Sequence, residues 1–184
     1  MNLDRVGPGD SPPDEVNVII EIPIHSDPVK YELDKETGAM FVDRYLNTSM
    51  VYPCNYGYIP HTLAKDGDPV DVLIATPMPI LPGAVMRCRP IGLLNMEDEA
   101  GDDGKVLVAP IDKVSKFHRM VESYEDLQPA LLNLIAHFFE HYKDLEPDKW
   151  VKVKGWEGVD RAKQEIMDAI DSYRVLPNEE KPNF

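Results

Sequence analysis

Asp66-Gly67-Asp68-Pro69-Val70-Asp71-Val72-Leu73-Ile74-Ala75 joins three carboxylates within six residues to an apolar run. The run after Asp71 is rich in β-favouring residues and reads as a strand that gives the acidic loop a rigid mount. Gly67 frees the backbone to turn sharply, and Pro69 stiffens the step after it. Asp side chains with a free pKa of ~3.9 are all ionised at neutral pH, so three held together without a counter-charge repel one another or force one to keep a proton. The knot therefore asks for a cation. Hard oxygen donors with no Cys or His beside them suit Mg²⁺, Mn²⁺ or Ca²⁺ rather than zinc. Taken alone, the stretch also reads as a solvated acidic turn, because Asp, Gly and Pro are ordinary turn residues. An EF-hand is excluded: counting from Asp66 puts Val70 at the fifth loop position, Asp71 where Gly is required and Pro77 where the bidentate Glu belongs.

Around this loop the chain has the length and make-up of one globular domain. Its 184 residues, 43% hydrophobic and 28% charged, suffice for a substantial core, and a single domain over 1–184 is expected. The formal charge of −14 opposes nucleic acid and anionic membranes, so a phosphate ligand would have to arrive with metal ions or meet a local basic cluster. Cys54 and Cys88 lack CxxC spacing, which fits a reducing compartment and two small core fillers. The start, Met1 to Asp14, has charges, Gly and three prolines but no apolar signal core, and no stretch approaches a membrane span. A cytoplasmic protein is expected, with 1–15 and 177–184 as flexible ends.

In chain order, Val16 to Ile22 alternates as a strand, with Val18, Ile20 and Ile22 on one face and Asn17, Ile19 and Glu21 on the other. Val29 to Asp34 and Met40 to Tyr45 form a hairpin across the turn Glu36-Thr37-Gly38. Lys30 and Glu32 share a face of its first arm, and Arg44 shares a side of the second with Met40 and Val42. Each charge alone reads as a surface ion-pair partner; together they point to a ligand. The segment from Val51 to Pro60 sets Tyr52, Tyr56 and Tyr58 among turn-formers, each phenol able to pack or to donate to an anion. Further strands are expected at Val70 to Thr76, Ala84 to Leu93 and Lys105 to Ile111, spaced by Pro and Gly as in a small barrel or sandwich. Between the last two lies a second acidic cluster, Glu97-Asp98-Glu99-Ala100-Gly101-Asp102-Asp103, which alone reads as a solvated hairpin loop. Leu131, Leu134, Ile135, Phe138 and Tyr142 recur at helical spacing after Pro129. A strand over Lys149 to Trp156 and an amphipathic helix carrying Val159, Ala162, Ile166, Ala169, Ile170 and Tyr173 complete the chain.

The order Glu21, Lys30-x-Glu32, Arg44, Tyr52/Tyr56, Asp66-Gly67-Asp68-Pro69-Val70-Asp71, Asp98, Asp103, Lys105 and Tyr142-Lys143 resembles soluble family I inorganic pyrophosphatase of the bacterial type. The resemblance covers Val16 through Trp156, and the acidic loop matches the family signature D-[SGDN]-D-[PE]-hydrophobic-D-hydrophobic. It implies a mainly β fold with flanking helices (α+β), in which a small closed OB-like barrel has two main helices packed outside. It implies pyrophosphate as substrate and several Mg²⁺ ions per site, with Mn²⁺ as a possible substitute. Asp66, Asp71 and Asp103 would hold one ion, Asp71 would serve a second, Asp98 and Asp103 a third, and Glu21 with Glu32 would help a substrate-borne one. Two metals sharing one water would make it a nucleophile at neutral pH, with Asp68 as the base that orients or deprotonates it. Lys30, Arg44, Tyr56, Tyr142 and Lys143 would grip phosphate oxygens, supported by Tyr52 and Lys105. Divalent cations between carboxylates and substrate also reconcile an acidic protein with an anionic ligand. The resemblance further implies a homohexamer, with His137 and His141 near a subunit contact.

Three other readings compete. His137-Phe138-Phe139-Glu140-His141 matches H-x-x-E-H, the pattern of a zinc metallopeptidase, yet that reading needs a third zinc ligand and a substrate cleft and leaves both acidic clusters unexplained. An oligonucleotide-binding barrel would want a basic groove with stacking aromatics. A non-catalytic divalent-cation module would hold metal without reacting.

Overall fold

The computed structural model describes residues 3–34, 37–177 and 181. Strand β1 (Val16–Ile22) is followed by a hairpin of β2 (Val29–Leu33) and β3 (Met40–Tyr45), as the alternation predicts. Of its expected turn, Glu36 lies outside the described residues, and Thr37 closes back on Asp34 through its amide and hydroxyl. Then come β4 (Asn55–Tyr58), β5 (Asp71–Ile74), β6 (Val85–Asp98), β7 (Gly101–Asp102), β8 (Lys105–Pro110), helix α1 (Pro129–His141), β9 (Val151–Glu157) and helix α2 (Val159–Val175).

The strands close on themselves. β1 pairs antiparallel with both β4 and β6, β4 with β5, β5 parallel with β8, and β8 with β6, so the ring has no free edge between its members. β9 pairs with the far half of β6, and β7 turns back on its end. This is the OB-like barrel with two outer helices that the resemblance implies. Gly57 marks a close approach of β4 to β1, because a Cβ there would stand 2.0 Å from the Ile19 carbonyl oxygen.

Alternate residues of the same strands feed two cores. Tyr56, Leu73, Leu94 and Leu107 pack with Ile135, Phe138 and Phe139 of α1, while Val18, Val72, Leu93 and Val106 pack with Ala162, Ile166 and Ile170 of α2. Both faces of β1 are buried, Ile19 meeting Leu3, Leu33 and Tyr58 on the side the alternation would leave half-polar. Cys54 and Cys88 are buried and unbridged.

Four local expectations change. β4 falls in the tyrosine segment, where the alternation is too short to mark a strand. β6 continues five residues beyond Leu93, so Glu97 and Asp98 lie on a strand and the second acidic cluster is the tip of a β6–β7 hairpin. On α1 the buried positions are Leu132, Ile135, Phe138 and Phe139, whereas Leu134 is 52% exposed. Finally, residues 3–15 pack rather than trail: Leu3 is buried, the Asn17 side chain donates to the Gly7 carbonyl, and Ser11 bridges to Glu15. At the other end, residues 178–180 and 182–184 of the expected loose tail lie outside the described residues.

Candidate active site

Strand register assembles the site. Because β5 and β8 run parallel with Val72 opposite Val106, the residue before each strand's pairing, Asp71 and Lys105, stand side by side. Lys105 is 3% exposed, and its Nζ donates to Asp71 Oδ2 at 2.6 Å and Asp103 Oδ1 at 2.7 Å. Burial alone would depress this ammonium, but Asp71 and Asp103 outweigh it and hold its pKa well above the ordinary lysine range. The two acidic clusters, separated in sequence, thus meet on one buried cation.

The first acidic loop is tied down by its own backbone. The Thr62 hydroxyl donates to the Ile59 carbonyl at 2.6 Å and accepts from the Val70 amide at 2.9 Å, and the Asp66 carboxylate accepts from the Asp68 amide at 3.0 Å. Gly67 sits at φ +93°, a left-handed conformation that explains the glycine between two Asp residues. Partial burial raises the Asp66 pKa, and the nearby carboxylates of Asp71, Asp103 and Asp68 add to the rise against that amide bond.

Beside this loop opens a cavity of about 100 Å³ lined by Glu21, Lys30, Glu32, Tyr56, Asp68 and Asp71, among others. Glu21 is buried at the end of β1, where it accepts from the Leu33 amide at 2.8 Å. Burial pushes its pKa up to about 8 against that bond, with Asp71 and Glu32 adding repulsion. Lys30 meets both Glu32 and, at 3.2 Å, Asp43. Its pKa is raised despite its burial, through the Glu32 contact first.

On the opposite rim, the end of α1 delivers Tyr142 and Lys143. Lys143 Nζ reaches Asp98 Oδ2 at 2.7 Å and Glu99 Oε1 at 3.4 Å. Burial favours protonation of Asp98, but the Lys143 bond and the Ala100 amide prevail and hold it below the usual carboxylate range. Tyr52 and Tyr56 lie beneath, their ring centroids 5.6 Å apart, and Tyr52 packs on Phe138 at 4.7 Å. Burial raises all three phenols, so each is a neutral donor at physiological pH. Arg44 enters from β3, bonded to Asp43 at 2.7 Å and to Glu146 at 3.2 Å.

All fourteen residues singled out in the sequence therefore lie around one mouth of the ring or directly under it. Sequence reasoning missed Asp43, Glu146 and Thr62, which hold the others, and took Glu99 only as one of the second acidic cluster; among 33 acids nothing in spacing or pattern separates Asp43 and Glu146. The H-x-x-E-H pair is elsewhere. The rings of His137 and His141 are 4.6 Å apart, and His141 Nδ1 is engaged by Asp144 at 2.8 Å.

Among the described residues no three His, Cys, Asp or Glu side chains converge as a closed ligand set, and Asp71 and Asp103 turn to Lys105 instead. The donors nonetheless fit a hard divalent cation: they are carboxylates without sulfur or imidazole, and Glu21 and Asp66 are raised by burial first and by neighbouring carboxylates besides, as expected of acids short of positive charge.

Comparison with known proteins decides the family. The family model for inorganic pyrophosphatase matches residues 18–174. The chain belongs to the inorganic pyrophosphatase family. Its reaction is the hydrolysis of inorganic pyrophosphate to orthophosphate. Among relatives, the inorganic pyrophosphatase of Escherichia coli (strain K12) is 56% identical over 171 residues, 93% of this chain and 97% of that protein. Among solved structures, an inorganic pyrophosphatase from Coxiella burnetii superposes with a TM-score of 0.89 at 53% identity, covering 91% of this chain and 99% of the other. An inorganic phosphatase from Anaplasma phagocytophilum gives a TM-score of 0.90 at 50% identity over 92% and 99%. Family membership also removes the metallopeptidase, oligonucleotide-binding and non-catalytic readings. No described helix is long and apolar enough to cross a membrane.

Proposed function

We propose that the chain is a Mg²⁺-dependent inorganic diphosphatase whose carboxylates hold the metal and whose Lys, Arg and Tyr side chains hold the two phosphates. The observation that carries the reading is the meeting of two acidic clusters at Lys105 within a rim of cations from β2, β3 and the end of α1. Glu21, Glu32, Asp66, Asp71, Asp98 and Asp103 are the metal-holding set. Mg²⁺, or Mn²⁺ in its place, would supply Lewis acidity that neutralises substrate charge and lowers the pKa of water.

The chain's own groups do the rest. Lys30, Arg44 and Lys143 carry fixed positive charge to the phosphate oxygens, and the neutral phenols of Tyr56 and Tyr142 add donors that no pH near neutrality removes. Lys105 and Tyr52, buried behind them, set the positions of Asp71 and Tyr56. Asp68, exposed at the outer turn of the loop and lining the same cavity as Glu21 and Lys30, orients the attacking water and takes its proton. Charge developing on the leaving phosphate meets donors already in place.

The test is substitution of the metal set. Asp66→Asn, Asp71→Asn and Asp103→Asn should each weaken Mg²⁺ binding, measured calorimetrically, and slow orthophosphate release while far-ultraviolet circular dichroism stays unchanged. Near-normal activity and metal dependence in all three would sink the assignment. A homohexamer in the cytoplasm, with His137 and His141 near a subunit contact, completes the proposal.

A further inference from the structure

Two of the three nitrogens of the Arg44 guanidinium are held by acids. Nε donates to Glu146 Oε1 at 3.2 Å and Nη1 to Asp43 Oδ2 at 2.7 Å, which leaves the two Nη2 protons unbonded among the described residues. Asp43 is the neighbour of Arg44 on β3, but Glu146 lies 102 residues further along, in the turn just past Tyr142 and Lys143. The Glu146 side chain is only 8% exposed, and its second partner is Lys149 at 3.6 Å. A carboxylate so nearly buried is costly unless paired, and this one is paired across two elements. Arg44 stands directly opposite Lys30 across the β2–β3 hairpin, and Lys30 lines the cavity, so the two share the face turned to the site. By charge alone an acid beside a phosphate grip would weaken it, which leaves geometry as its contribution.

We propose that Glu146 is a positioning residue for pyrophosphate binding: it docks the β2–β3 hairpin on the end of α1 and fixes the plane of Arg44 so that Nη2 meets a phosphate oxygen. The proposal rests on the reading of Arg44 as a phosphate-binding group. A planar fork loses its specificity when it can rotate, which a point charge such as Lys would not.

The experiment compares wild type, Glu146→Gln, Arg44→Ala and the double variant, reading kcat and KM for pyrophosphate and the inhibition constant of orthophosphate. Glu146→Gln should raise KM and the orthophosphate constant about tenfold, the size of a displaced charge-assisted hydrogen bond. In the Arg44→Ala background it should do nothing further. An unchanged KM in Glu146→Gln, or a defect that multiplies in full with that of Arg44→Ala, would overturn the role of Glu146. Wild-type KM in Arg44→Ala is a different failure: it removes Arg44 from phosphate binding and Glu146's role with it. If Glu146→Gln does not fold, Glu146→Asp keeps the charge but withdraws it by one methylene. That variant should show a smaller rise in KM, and a wild-type KM there contradicts the proposal.

Discussion

Asp68 and Glu21 line one cavity but sit in opposite surroundings, one exposed on a turn and the other buried at a strand end. Asp68→Asn keeps size and one acceptor oxygen but removes the charge that, in the proposed mechanism, draws a proton from water. Mg²⁺ binding should survive while turnover falls by about 10²–10⁴, the usual range for a general base. Both quantities must be measured on one preparation across pH; activity fully restored by added Mg²⁺ would make Asp68 a ligand instead. Glu21, raised from an ordinary 4.5 to about 8 by burial, has a stability signature. Its folded form keeps a proton that the unfolded chain releases, so the group's contribution is whole below pH 4.5 and is lost as pH rises to about 8. Glu21→Gln has no such loss. Relative to wild type, the metal-free variant should therefore gain stability between pH 4.5 and pH 8.5, by on the order of a few kcal/mol at ~1.36 kcal/mol per pKa unit. Urea unfolding at the two pH values checks this, and an equal difference at both would contradict it.

At the scale of elements, helix α1 shows both the reach and the limit of pattern. Its bounds follow from Pro129 and the apolar spacing, yet the spacing admits two faces, and packing against β9 and the ring selects the one with Leu132 rather than Leu134. Leu132→Ala should cost about 2–5 kcal/mol and Leu134→Ala, exposed, less than about 1 kcal/mol, read from urea midpoints; the reverse order would place the wrong face inward. Most strands were legible because their alternation or apolar runs are long. β4 was not, since its two tyrosines alternate with the turn-formers Asn55 and Gly57 over only four residues, too few to set a period, and only its partners β1 and β5 make it a strand. The end of β6 was hidden for the opposite reason: acidic residues that read as loop are held in register by Val151, Lys152 and Val153 of β9. The acids of the two loops were visible because they cluster in sequence, and Glu21 and Glu32 because each occupies a definite face of an alternating strand. Asp43 and Glu146 do not cluster, and their roles exist only once β3 meets the end of α1.

The whole molecule carries a net charge of −14 and still gathers lysines and an arginine at one mouth, which is the arrangement a polyanion bridged by divalent cations requires. Assembly belongs to this scale too. On the proposed assembly His137 and His141 lie near a subunit contact, so replacing both with Asp should place unpaired charge in it and dissociate the hexamer. Sedimentation of the wild type and this variant at neutral pH tests this, and a monomer in both would remove the contact. Hydrolysis itself is tested most directly by following orthophosphate release from pyrophosphate with Mg²⁺ and after its removal by a chelator. Two orthophosphates should appear per pyrophosphate with Mg²⁺, and release should stop without it and return when it is restored. No release in Mg²⁺, or release indifferent to metal, would contradict the proposed site.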